Sequence, residues 1–294
     1  MHSVCSDLLI SRDPLKARQP DEHWAPEAQA ATSLGLRVHL VDHDAIAAGD
    51  MVSGLPGLSQ GGTNVVYRGW MIAPNRYQAR ADELQRRGAD LRTSPRAFAS
   101  AHHLPNWYEE IAELTAESVW TTSSDLDGLI RAAGQLGPGP AVLKDYSKSE
   151  KHYWDEAMFI PDVTDNDKVS AVAARFLELR ADYFDTGFVL RRFENWEPGE
   201  WRSWWLNGDC VAVTAHPDTP HNTPADLNLE SLRPGIRSLG LPFISVDLAV
   251  SATTGALRIV EIGDGQVSDR PATDDPARFV AAIVGSPAPT NRTH

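Results

Sequence analysis

The clearest chemistry in the chain lies near its C-terminus, where two acid-bearing segments face each other. Phe243 to Val250 and Ala256 to Ile262 are rich in branched residues and predict strands. Thr253, Thr254 and Gly255 between them suit a three-residue hairpin loop with glycine in the left-handed position. That loop sets Ser251 opposite Leu257 and, counting back, Asp247 opposite Glu261 on one face. Like charges facing across two strands destabilise a sheet, and a divalent cation between them removes the penalty. With only oxygen ligands, Mg²⁺ is the expected ion. Asp264, in Ile262-Gly263-Asp264-Gly265, is expected to add a third oxygen. The competing reading places both carboxylates on a solvated face or separates them by a one-residue slip; the apolar residues around them favour burial and a metal.

Basic residues precede this pair in an order that suits a polyphosphate. Lys144 ends the apolar run Ala141-Val142-Leu143, and the polar loop that follows carries Lys148 and Lys151 and is suited to closing over phosphates. Arg191 and Arg192 lie in the strand-like stretch 187–193, of which alternation lets only one face a bound nucleotide. Glu200 and Arg202 share a face of a hairpin closed by Asn207-Gly208. Cations of this kind neutralise a triphosphate while paired carboxylates hold the Mg²⁺ that bridges its oxygens. Neither a Walker A pattern nor a kinase glycine loop occurs. Asp247 and Glu261 as the acid and base of a hydrolase is a weaker reading, because facing residues leave little room for substrate.

The elements that must position these groups fall into two parts. Up to about residue 115, strand and helix signals alternate as in an open α/β sheet, with strands near 7–11, 37–42 and 64–70 and a helix opened by Pro74. Such sheets present ligand groups at the carboxyl ends of their strands, which makes Arg68, and to a lesser degree Arg12, candidates for contacting an anionic substrate. The expected division is 1–115 and 116–294, the second part holding nucleotide and metal. His102 and His103 are neighbours that cannot share an ion from one helix face and read as a capping or surface pair. A short helix is expected from Asp226, ended by Pro234-Gly235. The tryptophans at 196, 201, 204 and 205 read as interface packing and Cys210 as a small core residue.

Composition narrows the class. The 294 residues carry a net charge of −13 without a Lys/Arg run, which speaks against nucleic acid as a partner. Two cysteines, Cys5 and Cys210, argue against a disulfide framework and suit a reducing cytoplasm. No apolar run approaches the roughly 20 residues of a membrane span.

The ordered set Val142-Leu143-Lys144, Phe188 to Phe193, Glu200-Trp201-Arg202, the Asp247 strand and Val260 to Gln266 resembles the ATP-grasp superfamily, in particular its small bacterial clade named for two arginines and a lysine. The resemblance spans about 115–285, and the part before it looks like a pre-ATP-grasp domain. It implies an α/β pre-ATP-grasp unit followed by an ATP-grasp domain with an antiparallel sheet core. Lys144 would bind ATP phosphates, and Arg191, Arg192, Phe193 and Glu194 would form the hinge along which adenine and ribose lie. Asp247 and Glu261 would hold Mg²⁺, and Arg202 would meet phosphate or acyl substrate. The chain departs from the superfamily in having Gly263 where Glu-x-Asn is common and in the basic character of its hinge. The implied activity is an ADP-forming ligase that joins a small-molecule or peptide carboxylate to an amine or thiol through an acyl phosphate, with substrate between the domains near Arg68 and Arg202. A homodimer is a superfamily expectation. The alternative is a nucleotide-binding module without catalysis.

Overall fold

In the computed structural model, which describes residues 7–55, 63–221 and 227–285, three four-stranded sheets carry the chain. Cys5, the Gly-rich stretch at 56–62 and Asp226 lie outside the described residues. The first sheet is parallel, with β1 (Asp7–Ser11), β2 (Arg37–Val41), β3 (Thr63–Arg68) and β4 (Ala89–Leu91) in the order β2-β1-β3-β4. The second is antiparallel, with β5 (Ser118–Trp120), β6 (Ala141–Asp145), β7 (Phe159–Ile160) and β8 (Phe188–Arg192) in the order β5-β8-β6-β7. The third, also antiparallel, orders β9 (Trp196–Leu206), β10 (Asp209–Ala215), β11 (Phe243–Ser251) and β12 (Leu257–Asp264) as β10-β9-β11-β12. The α/β class and the antiparallel core expected from sequence are what the chain adopts.

Local chemistry sets the helices that back the second sheet. Asp125 caps the helix Leu126–Leu136 by accepting from the backbone N–H groups of Asp127 and Gly128. Its apolar stripe, with Leu129, Ala133 and Leu136, packs with Val169, Val172 and Phe176 of the helix Asn166–Arg180 onto Leu143, Phe188 and Leu190. Removing a fully buried side chain of the size of Phe176 would cost about 3–5 kcal/mol.

The third sheet joins the first through a shared core. Leu8, Ile10 and Val66 of the parallel sheet pack with Trp204, Leu206 and Phe243, and with Phe279 and Ile283 of the closing helix Pro276–Val284. Trp205, the next residue, is equally buried but fills a second cluster with Ile244, Val246 and Ile262. Alternation along β9 makes one tryptophan pair serve two cores on opposite faces, so both serve packing. Pro234-Gly235 lies in the first turn of the helix Arg233–Ser238 rather than ending one, because proline's missing N–H is harmless where the helix leaves that donor unpaired.

The acid hairpin reaches its pairing by an unexpected route. Gly255 takes the left-handed conformation, but the loop closes one residue wider than expected, pairing Val250, not Ser251, with Leu257. Continued down the strands, that register would set Asp247 opposite Val260. A β-bulge between Leu248↔Ile259 and Asp247↔Glu261 inserts Val260 as an extra residue and brings the two acids face to face. The other hairpin has a matching irregularity between Cys210 and Ala212, which sets Thr214 across from Arg202.

Candidate functional site

Thr214, Arg202, Asp247 and Glu261 form one row across the third sheet. Arg202 grips Asp247 with both arms of its guanidinium, Nε to Oδ1 at 2.7 Å and NH2 to Oδ2 at 2.8 Å. Burial opposes the charge on Asp247, but Arg202, helped by His216, outweighs it and holds the carboxyl at about 2. Lys144 reaches over from β6 and places Nζ 2.8 Å from Glu261 Oε1. Burial works to raise the Glu261 carboxyl, and Lys144 and Lys148 together bring it below the ordinary range. Both acids are therefore ionised, each facing a cation.

His216, one residue past β10, is a site residue that sequence reasoning did not single out. Its backbone N–H bonds the Glu200 carbonyl at 3.1 Å, and the bulge in the β9–β10 hairpin turns it onto the Arg202 face. Nδ1 accepts from the backbone N–H of Asp218 at 3.2 Å, and Nε2 stands 3.2 Å from NH2 of Arg202. Nε2 stands 3.5 Å from Asp247 Oδ2 and 3.8 Å from Glu200 Oε1, and burial pushes the Glu200 carboxyl up. Glu200, His216 and Asp247 bring their ligand atoms within 4.8 Å of one another, the spacing of a metal site. The trio surrounds Arg202, whose NH2 lies 2.8 Å from Asp247 Oδ2 and 3.2 Å from His216 Nε2.

Two cavities meet at Glu261. One, of about 270 Å³, lies between the second and third sheets and is lined by Val142, Trp154, Met158, Phe193 and Trp196, with Lys144 and Glu261 at its polar end. Arg191 crosses this gap and donates to the Ile259 carbonyl and Thr115 Oγ1, and to the carbonyl of the bulged Val260. Arg192 turns the other way and caps the helix Leu126–Leu136 through the Gly137 and Pro138 carbonyls. Phe193 packs edge-on to Phe159 and Trp154. Glu194 accepts from Arg258 at 3.0 Å through Oε1, while its Oε2 is buried without a hydrogen-bond partner among the described residues.

The second cavity, of about 280 Å³, is polar and lined by Lys148, Lys151, Arg202, His216, Asp247 and Glu261, closed by Met71 and His102 from the N-terminal half. The Lys148 ammonium has no hydrogen-bonded or ion-paired partner among the described residues, whereas Lys151 pairs with Asp218. His102 is neither cap nor surface residue. Its Nδ1 donates to the Phe98 carbonyl at 2.9 Å, which leaves the Nε2 lone pair free, and burial lowers its pKa to about 4. His103 instead bonds Asp185 at 3.0 Å.

Three sequence expectations need correction. Arg68 is wholly buried and cannot meet a substrate: it pairs with both oxygens of Glu27, at 2.7 and 3.0 Å, donates to the Ser268 and Gly265 carbonyls, and stacks on Trp24 at 4.7 Å. Arg12 is engaged by Asp42. Asp264 does not add a metal oxygen. Alternation turns it away from Glu261 into the interior, where Thr93 and Gln266 bond its oxygens at 3.3 and 3.0 Å and burial raises its carboxyl to about 6. Cys210 is half-buried, and burial raises its thiol.

Two antiparallel sheets enclosing a cleft between a lysine-bearing strand and a carboxylate pair, set on an α/β unit, define an ATP-grasp architecture. Residues 133–283 match the ATP-grasp domain of family 3 in the clade named for two arginines and a lysine, and the chain belongs to that family. No curated protein matches the sequence. Among solved structures, the fold is similar to D-cycloserine synthetase DcsG, with 16% identity, a TM-score of 0.62 and coverage of 95% of this chain and 99% of that one. It is also similar to a RimK domain ATP-grasp protein from Sphaerobacter thermophilus, with 14% identity, a TM-score of 0.59 and coverage of 95% and 98%. The ATP-grasp ligase PsnB, complexed with a minimal precursor, Mg and ADP, shares 14% identity at a TM-score of 0.57, with coverage of 95% and 97%. Among the described residues no helix is long and apolar enough to cross a membrane.

Proposed function

We propose that the protein is an ATP-dependent carboxylate–amine ligase that activates a small-molecule or peptide carboxylate as an acyl phosphate and releases ADP. The observation that carries this reading is the junction of the two cavities at Lys144 and Glu261, because it brings an apolar slot for a base next to a polar chamber for a second substrate. Adenine lies in the slot against Phe193, Trp154 and Trp196, and the free Glu194 oxygen takes a ribose hydroxyl. Lys144 and the unpaired Lys148 neutralise the phosphates. Asp247 and Glu261 suit Mg²⁺, since both are ionised, all-oxygen and in register across two strands. The ion, when bound, supplies charge neutralisation at the phosphate oxygens.

Arg202 then faces the acyl group in the polar chamber. The carboxylate attacks the terminal phosphorus, ADP departs, the amine attacks the acyl carbon, and phosphate leaves as the C–N bond forms. His102, with its lone pair toward the chamber, accepts a hydrogen bond from the incoming amine. The similar proteins support the class of reaction: one is described as a D-cycloserine synthetase, and another as N5-carboxyaminoimidazole synthase in complex with ADP and 5-aminoimidazole ribonucleotide.

The test is calorimetric titration of ATP, or of a slowly hydrolysed analogue, with and without Mg²⁺. Binding that depends on Mg²⁺ in the native protein and loses that dependence in Asp247→Asn supports the reading. No binding in either condition overturns it.

A further inference from the structure

The carboxylate pair lacks the third protein oxygen expected of Asp264, and the same sheet face offers a replacement. Ser245 on β11 lies directly opposite Gly263 on β12. Ser245 is two residues before Asp247, and Gly263 is two after Glu261, so all four share a face. Ser245 Oγ lies 2.6 Å from Ser268 Oγ, and both serines line the polar cavity with the two acids. A Cβ built on Gly263 would stand 3.1 Å from Ser245 Oγ and 3.2 Å from Ser268 Oγ. The two hydroxyls thus fill the space that a side chain at 263 would occupy, and glycine there is what lets them in.

The direction of their hydrogen bonds identifies the ligand. Ser268 Oγ donates to the Asp264 carbonyl at 3.0 Å, and that carbonyl only accepts. With its proton spent, Ser268 accepts from Ser245, so both hydroxyl protons point into the protein and the lone pairs of Ser245 are left for the cavity. An acceptor-only face beside two carboxylates suits a hard cation and repels a phosphate oxygen.

We infer that Ser245, held by Ser268, supplies the third protein oxygen for the Mg²⁺ of the Asp247–Glu261 pair. The inference rests on the reading of this row as a Mg²⁺–nucleotide site. Arg68 has a supporting part, since it holds the Gly265 and Ser268 carbonyls and with them the segment that carries Ser268.

The experiment is titration of Mn²⁺ into the full-length protein in the presence of a non-hydrolysable imido analogue of ATP, read by the loss of the free-ion paramagnetic resonance signal. Relative to the native protein, Ser245→Ala/Ser268→Ala should bind Mn²⁺ about tenfold more weakly, with unchanged metal-free affinity for the analogue as the control for folding. Asp264→Asn should not weaken Mn²⁺ binding. Adding Gly263→Asn to the double serine variant should recover the affinity, because the vacated space admits an amide oxygen. Ser245→Cys should shift preference from Mn²⁺ towards Cd²⁺, which only direct ligation produces. Native Mn²⁺ affinity in the double serine variant, with no shift in Ser245→Cys, overturns the inference and leaves the nucleotide site standing. No Mn²⁺ binding by the native protein with the analogue overturns the site reading itself.

Discussion

Arg68 and Arg202 are both buried guanidinium groups gripping a carboxylate with two bonds, yet they belong to different kinds of region. Arg68 donates to the Gly265 and Ser268 carbonyls, is stacked among Trp24, Trp204 and Phe279, and has no exposed surface. Its partner Glu27 also faces Arg270 at 3.6 Å. Arg202 lines a chamber of about 280 Å³, and its carboxylate lies in register with a second one. A buried ion pair by itself therefore says little about function. What separates the two is whether the pair has an unfilled side, where a ligand can exchange with the partner already there.

The comparison breaks first at the metal. Asp247→Asn should lose the Mg²⁺ dependence of nucleotide binding completely, whereas Glu27→Gln should keep it; calorimetry on the two variants decides, and loss of Mg²⁺ dependence in Glu27→Gln would dissolve the distinction. Stability should divide the other way. Glu27→Gln strands a sealed guanidinium and should cost about 3–5 kcal/mol by denaturant unfolding. In Asp247→Asn, Arg202 keeps the Asp269 carbonyl at 3.0 Å and access to the chamber, so the cost should stay at about 2 kcal/mol.

Acid titration sharpens the contrast within one hairpin. The Asp247 carboxyl falls from the ordinary 3.8 to about 2 on folding, so its contribution, about 2 kcal/mol, is present above pH 3.8 and lost as pH drops towards 2. Asp264 moves up to about 6, so the native state holds a proton that the unfolded chain has released, and stability falls as pH rises from about 4 to 6. Unfolding free energies of Asp247→Asn should flatten the first limb and those of Asp264→Asn the second; either limb persisting in its own variant would refute the assignment. The smallest effect belongs to Lys151→Ala, whose pair with Asp218 is more than half exposed on both sides and should change stability by no more than about 0.5 kcal/mol.

Local sequence was enough to place most elements and the residues most directly tied to the chemistry. Branched strands, the Asn207-Gly208 turn, the Asp125 cap and the order of Lys144, Arg202, Asp247 and Glu261 follow from side-chain shape, turn geometry and charge, which act over a few residues. The acid pairing was expected from a loop register that the protein does not use, and only the bulge at Val260 restores it. Register errors of one residue turn a side chain to the opposite face, and a bulge leaves no mark in composition. For that reason His216 was not legible in the sequence as a site residue, and the Ser245–Ser268 pair was not because it depends on the segment after β12 returning beside Gly263. The division of labour between Arg191 and Arg192, the sealing of Arg68 and the inward turn of Asp264 were likewise decided by the tertiary structure, because each depends on which distant backbone carbonyl or carboxylate packs beside the group.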